Sequence, residues 1–153
     1  MIPPIIPIKN EQPGICADCG GECCKWTPGV FHPDQLLKGV SDKYAHLKSL
    51  LDTGLYILRR FEGVNKNEHG SQALEVISPS SHLTRGHRFD YDVFGTCSFW
   101  TTEGCTLDEN TRPQQCQRLI PRFPDECNYP EAYDFKTETI EPWRPYQGLI
   151  MDL

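Results

Sequence analysis

Apolar positions at Leu36, Leu37, Val40, Tyr44, Leu47 and Leu51 recur at three- and four-residue spacing, the period of a helix with one buried face. His32-Pro33-Asp34 reads as a helix start with proline at the first helical position, where an N–H would lack a partner anyway. Gly39 and Ser41 interrupt the stripe, so the pattern predicts one broken helix or two short ones. Ser41 is the expected N-cap of the second, which stops near Gly54. Leu55 to Phe61 and Ala73 to Ile77 are rich in strand formers, and the polar stretch EGVNKNEHGSQ between them predicts a hairpin with a long loop. Phe89, Tyr91 and Val93 alternate with Asp90 and Asp92, which predicts a third strand. Pro3, Pro4, Pro7 and Pro13 favour an extended N-terminal arm over 1–14. Six prolines from Pro113 to Pro145 predict an irregular, Pro-rich C-terminal region that wraps the rest.

Length and composition change this picture little. The 153 residues suit a single domain, read as the arm 1–14, a cysteine-rich unit over 15–127, and a C-terminal wrap or tail over 128–153. Such a chain can bury roughly two thirds of its unfolded surface. With a hydrophobic share of 38%, however, the core is expected to be modest. No apolar run approaches the ~20 residues that cross a bilayer, which argues against a membrane span. The first residues lack a basic leader and a cleavage site, so a cytoplasmic protein is expected. The net charge is −6, and residues 103–153 hold ten acidic against five basic side chains. No cationic cluster exceeds the pair Arg59 and Arg60, which argues against a nucleic-acid partner. A protein partner on the acidic C-terminal third stays open.

Eight cysteines change the picture decisively. In a reducing compartment a cluster of thiols is better read as metal ligands than as disulfides. The first block, CADCGGECC, holds Cys16, Cys19, Cys23 and Cys24. Two intervening residues let Cys16 and Cys19 turn both sulfurs onto one centre, and Gly20 and Gly21 permit the tight backbone this requires. Neighbouring side chains tend to point apart, so Cys23 and Cys24 are expected to serve different roles or different metals. The second block carries Cys97, Cys105 and Cys116, with seven and ten residues between them, so these converge only through the fold. Cys127 lies beyond the block and reads as an ordinary thiol.

CxxC, glycine and a double cysteine near the start, with two later cysteines and then RPxxC, resemble the YkgJ-type cysteine-cluster family of zinc- or iron-chelating domains. The resemblance is carried by Cys16, Cys19, Gly20, Cys23, Cys24, Cys97, Cys105, Arg112, Pro113 and Cys116, with Pro121 shortly after, and by the stretch VFHPDQLL. Three residues separate Cys19 from Cys23 where the family has two. Gln117 stands where an arginine is usual. The resemblance implies a cysteine-bound metal centre, iron–sulfur in a relative that methylates flagellin lysines, without implying an activity. Arg112 suits either a place just outside the ligands, offsetting ionised sulfurs, or a surface salt bridge, and the resemblance favours the former.

The expected fold is therefore a small α+β domain, a helical segment and short antiparallel strands organised around a cysteine-ligated metal centre. The metal set is Cys16, Cys19, Cys23, Cys24, Cys97, Cys105 and Cys116. Four thiolates suit an iron–sulfur cluster or zinc, and the glycine turns and nearby proline lean toward the cluster. The leading functional expectation is a metal-binding protein with a redox or accessory role. The alternatives are a structural zinc module presenting an interaction surface and a secreted disulfide-stapled protein. His82, His87, Asp90 and Asp92 lack a short metal-binding spacing and read as solvated loop residues. Trp26, Phe99 and Trp100 flank ligands and read as core. Hydrolase, dinucleotide and phosphate-loop motifs do not occur.

Overall fold

The computed structural model describes residues 28–67, 70–90, 93, 95–101, 104–108, 110–117, 120–122, 126–128 and 133–153, with backbone alone at 62–72, 120–122 and 126–128. The arm 1–14, Trp26, Asp92 and the cysteines of the first block lie outside the described residues.

The helical stripe resolves into two helices, α1 (Pro33–Leu37) and α2 (Lys43–Asp52). His32 starts α1 through a reciprocal cap: its Nδ1 accepts from the Asp34 N–H, and its own N–H donates to Gln35 Oε1. Gly39, at φ 77°, takes the left-handed turn between the helices that a side chain resists. The second cap is Asp42 and not the expected Ser41, because the carboxylate Oδ1 accepts from the Ala45 N–H one turn in. Gly54, at φ 80°, follows the last turn of α2 as expected.

Strands β1 (Tyr56–Asn67) and β2 (Gly70–Pro79) pair antiparallel and run much further than the composition suggests. The stretch expected to be a long loop is itself paired, with a register shift between Glu62 and Lys66. Backbone pairing across a two-strand ribbon asks little of side-chain hydrophobicity, which is why a polar stretch can extend it. The third strand, β3 (Phe89–Asp90), joins the far side of β1, giving the order β2-β1-β3. It runs parallel to β1, which corrects the expectation of antiparallel strands throughout. The chain leaves β2, turns through 80–88 and returns in the direction of β1, anchored where the Leu58 N–H donates to the Arg88 carbonyl at 2.9 Å. Being central, β1 buries three successive residues, Ile57, Leu58 and Arg59. Two short hairpins follow, β4 (Trp100–Thr101) with β5 (Gly104–Cys105) and β6 (Ile120–Arg122) with β7 (Glu126–Asn128). Helix α3 (Gln114–Gln117) lies between them.

The last part of the chain, 136–151, which holds Pro142 and Pro145, is helical, which corrects the irregular wrap over that stretch. A wide turn over Lys136–Ile140, a 3₁₀ turn over Glu141–Tyr146 and α4 (Gln147–Met151) follow one another without a break. Pro142 falls at the start of the 3₁₀ turn, where no N–H is needed. This tail closes one apolar cluster: Ile140, Trp143 and Ile150 pack with Leu37, Leu47 and Leu51 of the helices and with Leu58, Leu74 and Ile77 of the sheet. The centre of the described fold is thus apolar side chains. Gln147 also covers the outer edge of β2, accepting from the Glu75 N–H at 2.8 Å and donating to the Glu75 carbonyl at 2.9 Å, as a neighbouring strand would.

Candidate metal centre

The described residues begin at Pro28, four positions after Cys24, and the strap Pro28–Phe31 is held on every side. The buried Arg59 guanidinium donates from Nη1 to the Pro28 carbonyl at 2.8 Å. The Val30 N–H donates to Gln115 Oε1 at 2.8 Å, and the Gln115 N–H returns to the Val30 carbonyl at 3.2 Å. The Phe31 N–H donates to the Ile77 carbonyl at 3.0 Å, and the Phe31 carbonyl accepts from Trp143 Nε1 at 2.8 Å. Gly29 lies against Cys116: a Cβ placed on Gly29 would come within 2.5 Å of Cys116 Sγ. The fold therefore sets the strap, which follows the early cysteine block in sequence, against the last cysteine of the late one.

Cys116 owes its place to glutamines. Gln35 Oε1 accepts from the N–H groups of His32 and Gln114, at 2.9 and 2.8 Å, while its Nε2 donates to the Arg112 carbonyl at 2.7 Å. One α1 side chain thereby fixes the start of α3. Gln117 Nε2 donates to the same carbonyl at 2.7 Å, and Thr139 Oγ1 donates to Gln114 Oε1 at 2.6 Å, tying α3 to the tail. Arg112 uses Nε to close its own loop on the Leu107 carbonyl at 3.0 Å. Its guanidinium thus stands four residues before Cys116 in the loop that leads into α3.

Cys97 and Cys105 belong to a neighbouring unit. Ser81 and Cys97 form an antiparallel bridge that extends the path of β2, flanked by the Ser98 N–H donating to the Ser80 carbonyl at 2.9 Å. Cys97 is buried and its carbonyl accepts from the Trp100 N–H at 3.0 Å. Trp100 in turn pairs with Cys105 across the β4–β5 hairpin. A local hairpin therefore relates these two cysteines, closer in structure than their spacing suggests. Phe99 packs edge-on against Tyr56, and Tyr56 against Phe31, with centroids 5.7 Å apart in each contact, so an aromatic line ties the hairpin to the strap. Burial pushes the Tyr56 phenol above its ordinary value. Phe99 and Trp100 are half-buried and lie outside the main apolar cluster.

Among the described residues, no three His, Cys, Asp or Glu side chains gather closely enough to hold an ion. Cys97, Cys105 and Cys116 therefore make no site by themselves, and they form no disulfides with one another. His82 and His87 are exposed, and His82 Nδ1 accepts from the Thr96 N–H at 2.9 Å. Backbone of Cys127 lies in β7 opposite Pro121. Sequence reasoning missed Gly29, Gln35 and Gln115. Glutamines beside a cysteine carry no distinctive signal, and Gly29 is distinguished only by what approaches it. No helix among the described residues is long and apolar enough to cross a membrane. Comparison with protein-family models, curated proteins and solved structures finds no match to this chain.

Proposed function

We propose that this chain is a metal-binding protein in which cysteine thiolates hold an iron–sulfur cluster or a zinc ion, in a redox or accessory role. The ligands are drawn from Cys16, Cys19, Cys23, Cys24, Cys97, Cys105 and Cys116. The observation that supports this most is the seating of Gly29 on Cys116 Sγ. Five residues of extended chain reach at most about 18 Å, so the covalent tether from Gly29 allows Cys24 to reach Cys116. Among the described residues the late cysteines gather no site alone, and in this reading the early block supplies the remaining ligands.

Thiolates fit either metal, and the side-chain-free face of Gly29 gives one of them a close backbone neighbour of the kind that tunes such sulfurs. An iron–sulfur cluster would supply electron transfer, whereas zinc would supply a cross-link that stabilises the fold. Within the chain, Gln35, Gln115 and Arg59 hold the strap and α3 in register. Fixing the elements that carry the ligands limits which sulfurs meet. The resemblance to cysteine-cluster domains is consistent with this reading, and the lean toward iron–sulfur rests on the glycine-rich turns and nearby proline of the sequence.

Joint determination of iron, acid-labile sulfide and zinc in anaerobically purified protein tests the proposal. The expected result is a stoichiometric metal, either iron with matching sulfide and a brown colour, or zinc in a colourless protein that unfolds on chelation. A folded chain free of metal, or one whose eight cysteines are consumed by disulfides, overturns it.

A further inference from the structure

Where β1, β2 and β3 meet the 3₁₀ turn and α4, the fold leaves an open cavity of about 860 Å³, lined by none of the cysteines. Small-molecule sites span roughly 300–1,000 Å³. The floor is hydrocarbon: Leu58, Leu74 and Ile150 are buried, and the Phe89 ring adds a wall. The charged lining is cationic, with the guanidiniums of Arg60, Arg88 and Arg144 against one carboxylate side chain, Glu75. In a chain of net charge −6 this gathering runs against the overall field. We infer that the cavity binds an organic anion with an apolar body, its carboxylate at the arginines and its hydrocarbon on the floor.

How each arginine is held shows which one grips the anion. Arg60 Nη2 donates to Glu75 Oε1 at 3.1 Å and its Cζ lies 5.6 Å from the Phe89 ring centre, so its charge is matched within the wall. Arg144 gives Nε and Nη2 to Glu141, each at 2.9 Å. Arg88 is paired through Nη2 with Asp52, and these side chains are 42% and 54% exposed. An exposed pair of this kind contributes little, so a carboxylate joins or replaces Asp52 at small cost. A guanidinium presents five donors in a planar fork that matches a carboxylate. Arg88 is therefore the anchor. Asp52 and Glu141 are not part of the lining, which leaves the cavity side cationic.

Calorimetric titration of the full chain with sodium octanoate, kept below self-association, tests this beside butanoate and 1-octanol. Octanoate should bind one to one with Kd below about 1 mM. Each methylene fully buried raises affinity about fourfold, so butanoate, four shorter, should bind at least tenfold more weakly. Octanol, which lacks the charge, should also fall at least tenfold. Arg88→Gln, at an exposed position, should weaken octanoate about tenfold and leave octanol unchanged. Ala73→Trp, at an exposed position of the lining, should block both ligands by filling the cavity. Lys38→Gln removes an exposed charge elsewhere and should match wild type. Amide spectra should place octanoate at Phe89 and Ile150. No saturation by several millimolar, equal affinity for octanol or butanoate, or undiminished octanoate binding in Arg88→Gln and Ala73→Trp overturns the inference.

Discussion

Replacing Trp143 by Phe probes how the C-terminal tail supports the strap. Trp143 is fully buried in the apolar cluster, and its Nε1 donates to the carbonyl of Phe31, a residue 2% exposed. The substitution keeps an aromatic ring and deletes the donor. A buried acceptor left without its partner costs about 1–3 kcal/mol. The part of the indole that is lost leaves a void worth about 1 kcal/mol more. The expected loss is thus about 2–4 kcal/mol from a domain whose total is of the order of 5–15 kcal/mol. Trp143→Ala removes the whole ring, about 3–5 kcal/mol in volume, and with the orphaned carbonyl reaches about 4–8 kcal/mol. Urea unfolding followed by circular dichroism gives both values, and an unchanged m-value shows that the end states are the same. Native-state amide exchange locates the effect, with the Val30 and Phe31 amides losing protection first. A Phe variant within about 0.5 kcal/mol of wild type would refute the reasoning, since surface changes alone stay inside that range.

Other outcomes follow from the same geometry. Gln115→Leu should cost about 1–3 kcal/mol, because the N–H of fully buried Val30 loses its acceptor, whereas Gln115→Glu keeps an acceptor and should cost little. Equal losses in urea titrations of the two variants would show that the hydrogen bond is not what holds the strap. Tyr56 has its pKa raised above 10.0 by burial, so the folded chain keeps a proton that the unfolded chain releases. Its contribution is intact below pH 10.0 and is lost as pH rises through the folded value. Tyr56→Phe should flatten the alkaline decline in the urea midpoint, and an identical decline in both proteins would contradict the assignment.

Much of the fold is legible in the spacing of apolar residues. The helical stripe from Leu36 to Leu51, its interruption near Gly39 and its stop at Gly54 reflect local chemistry, because caps and left-handed glycines act within one turn. The expected cap was off by one residue since Ser41 and Asp42 offer equivalent oxygens, and only the arriving chain selects between them. The long β1–β2 ribbon is less legible, because its outer half rests on backbone pairing. The helical tail is hidden by its prolines, Pro142 at the start of the 3₁₀ turn and Pro145 inside it, and its apolar residues Ile140, Trp143 and Ile150 find a core only in three dimensions. At the candidate site the cysteines are visible as letters. Their supports are not: Gly29 matters through a sulfur 87 residues away, and Gln35 through a carbonyl 77 residues away. Such long-range contacts leave no periodic trace.

The central claim is that sulfurs from the two ends of the chain serve a common centre. Cys16→Ser and Cys116→Ser, each purified anaerobically beside wild type and assayed for iron, sulfide and zinc, test it most directly. The account predicts that each substitution alone depletes the same metal. Full wild-type metal content in either variant would contradict it.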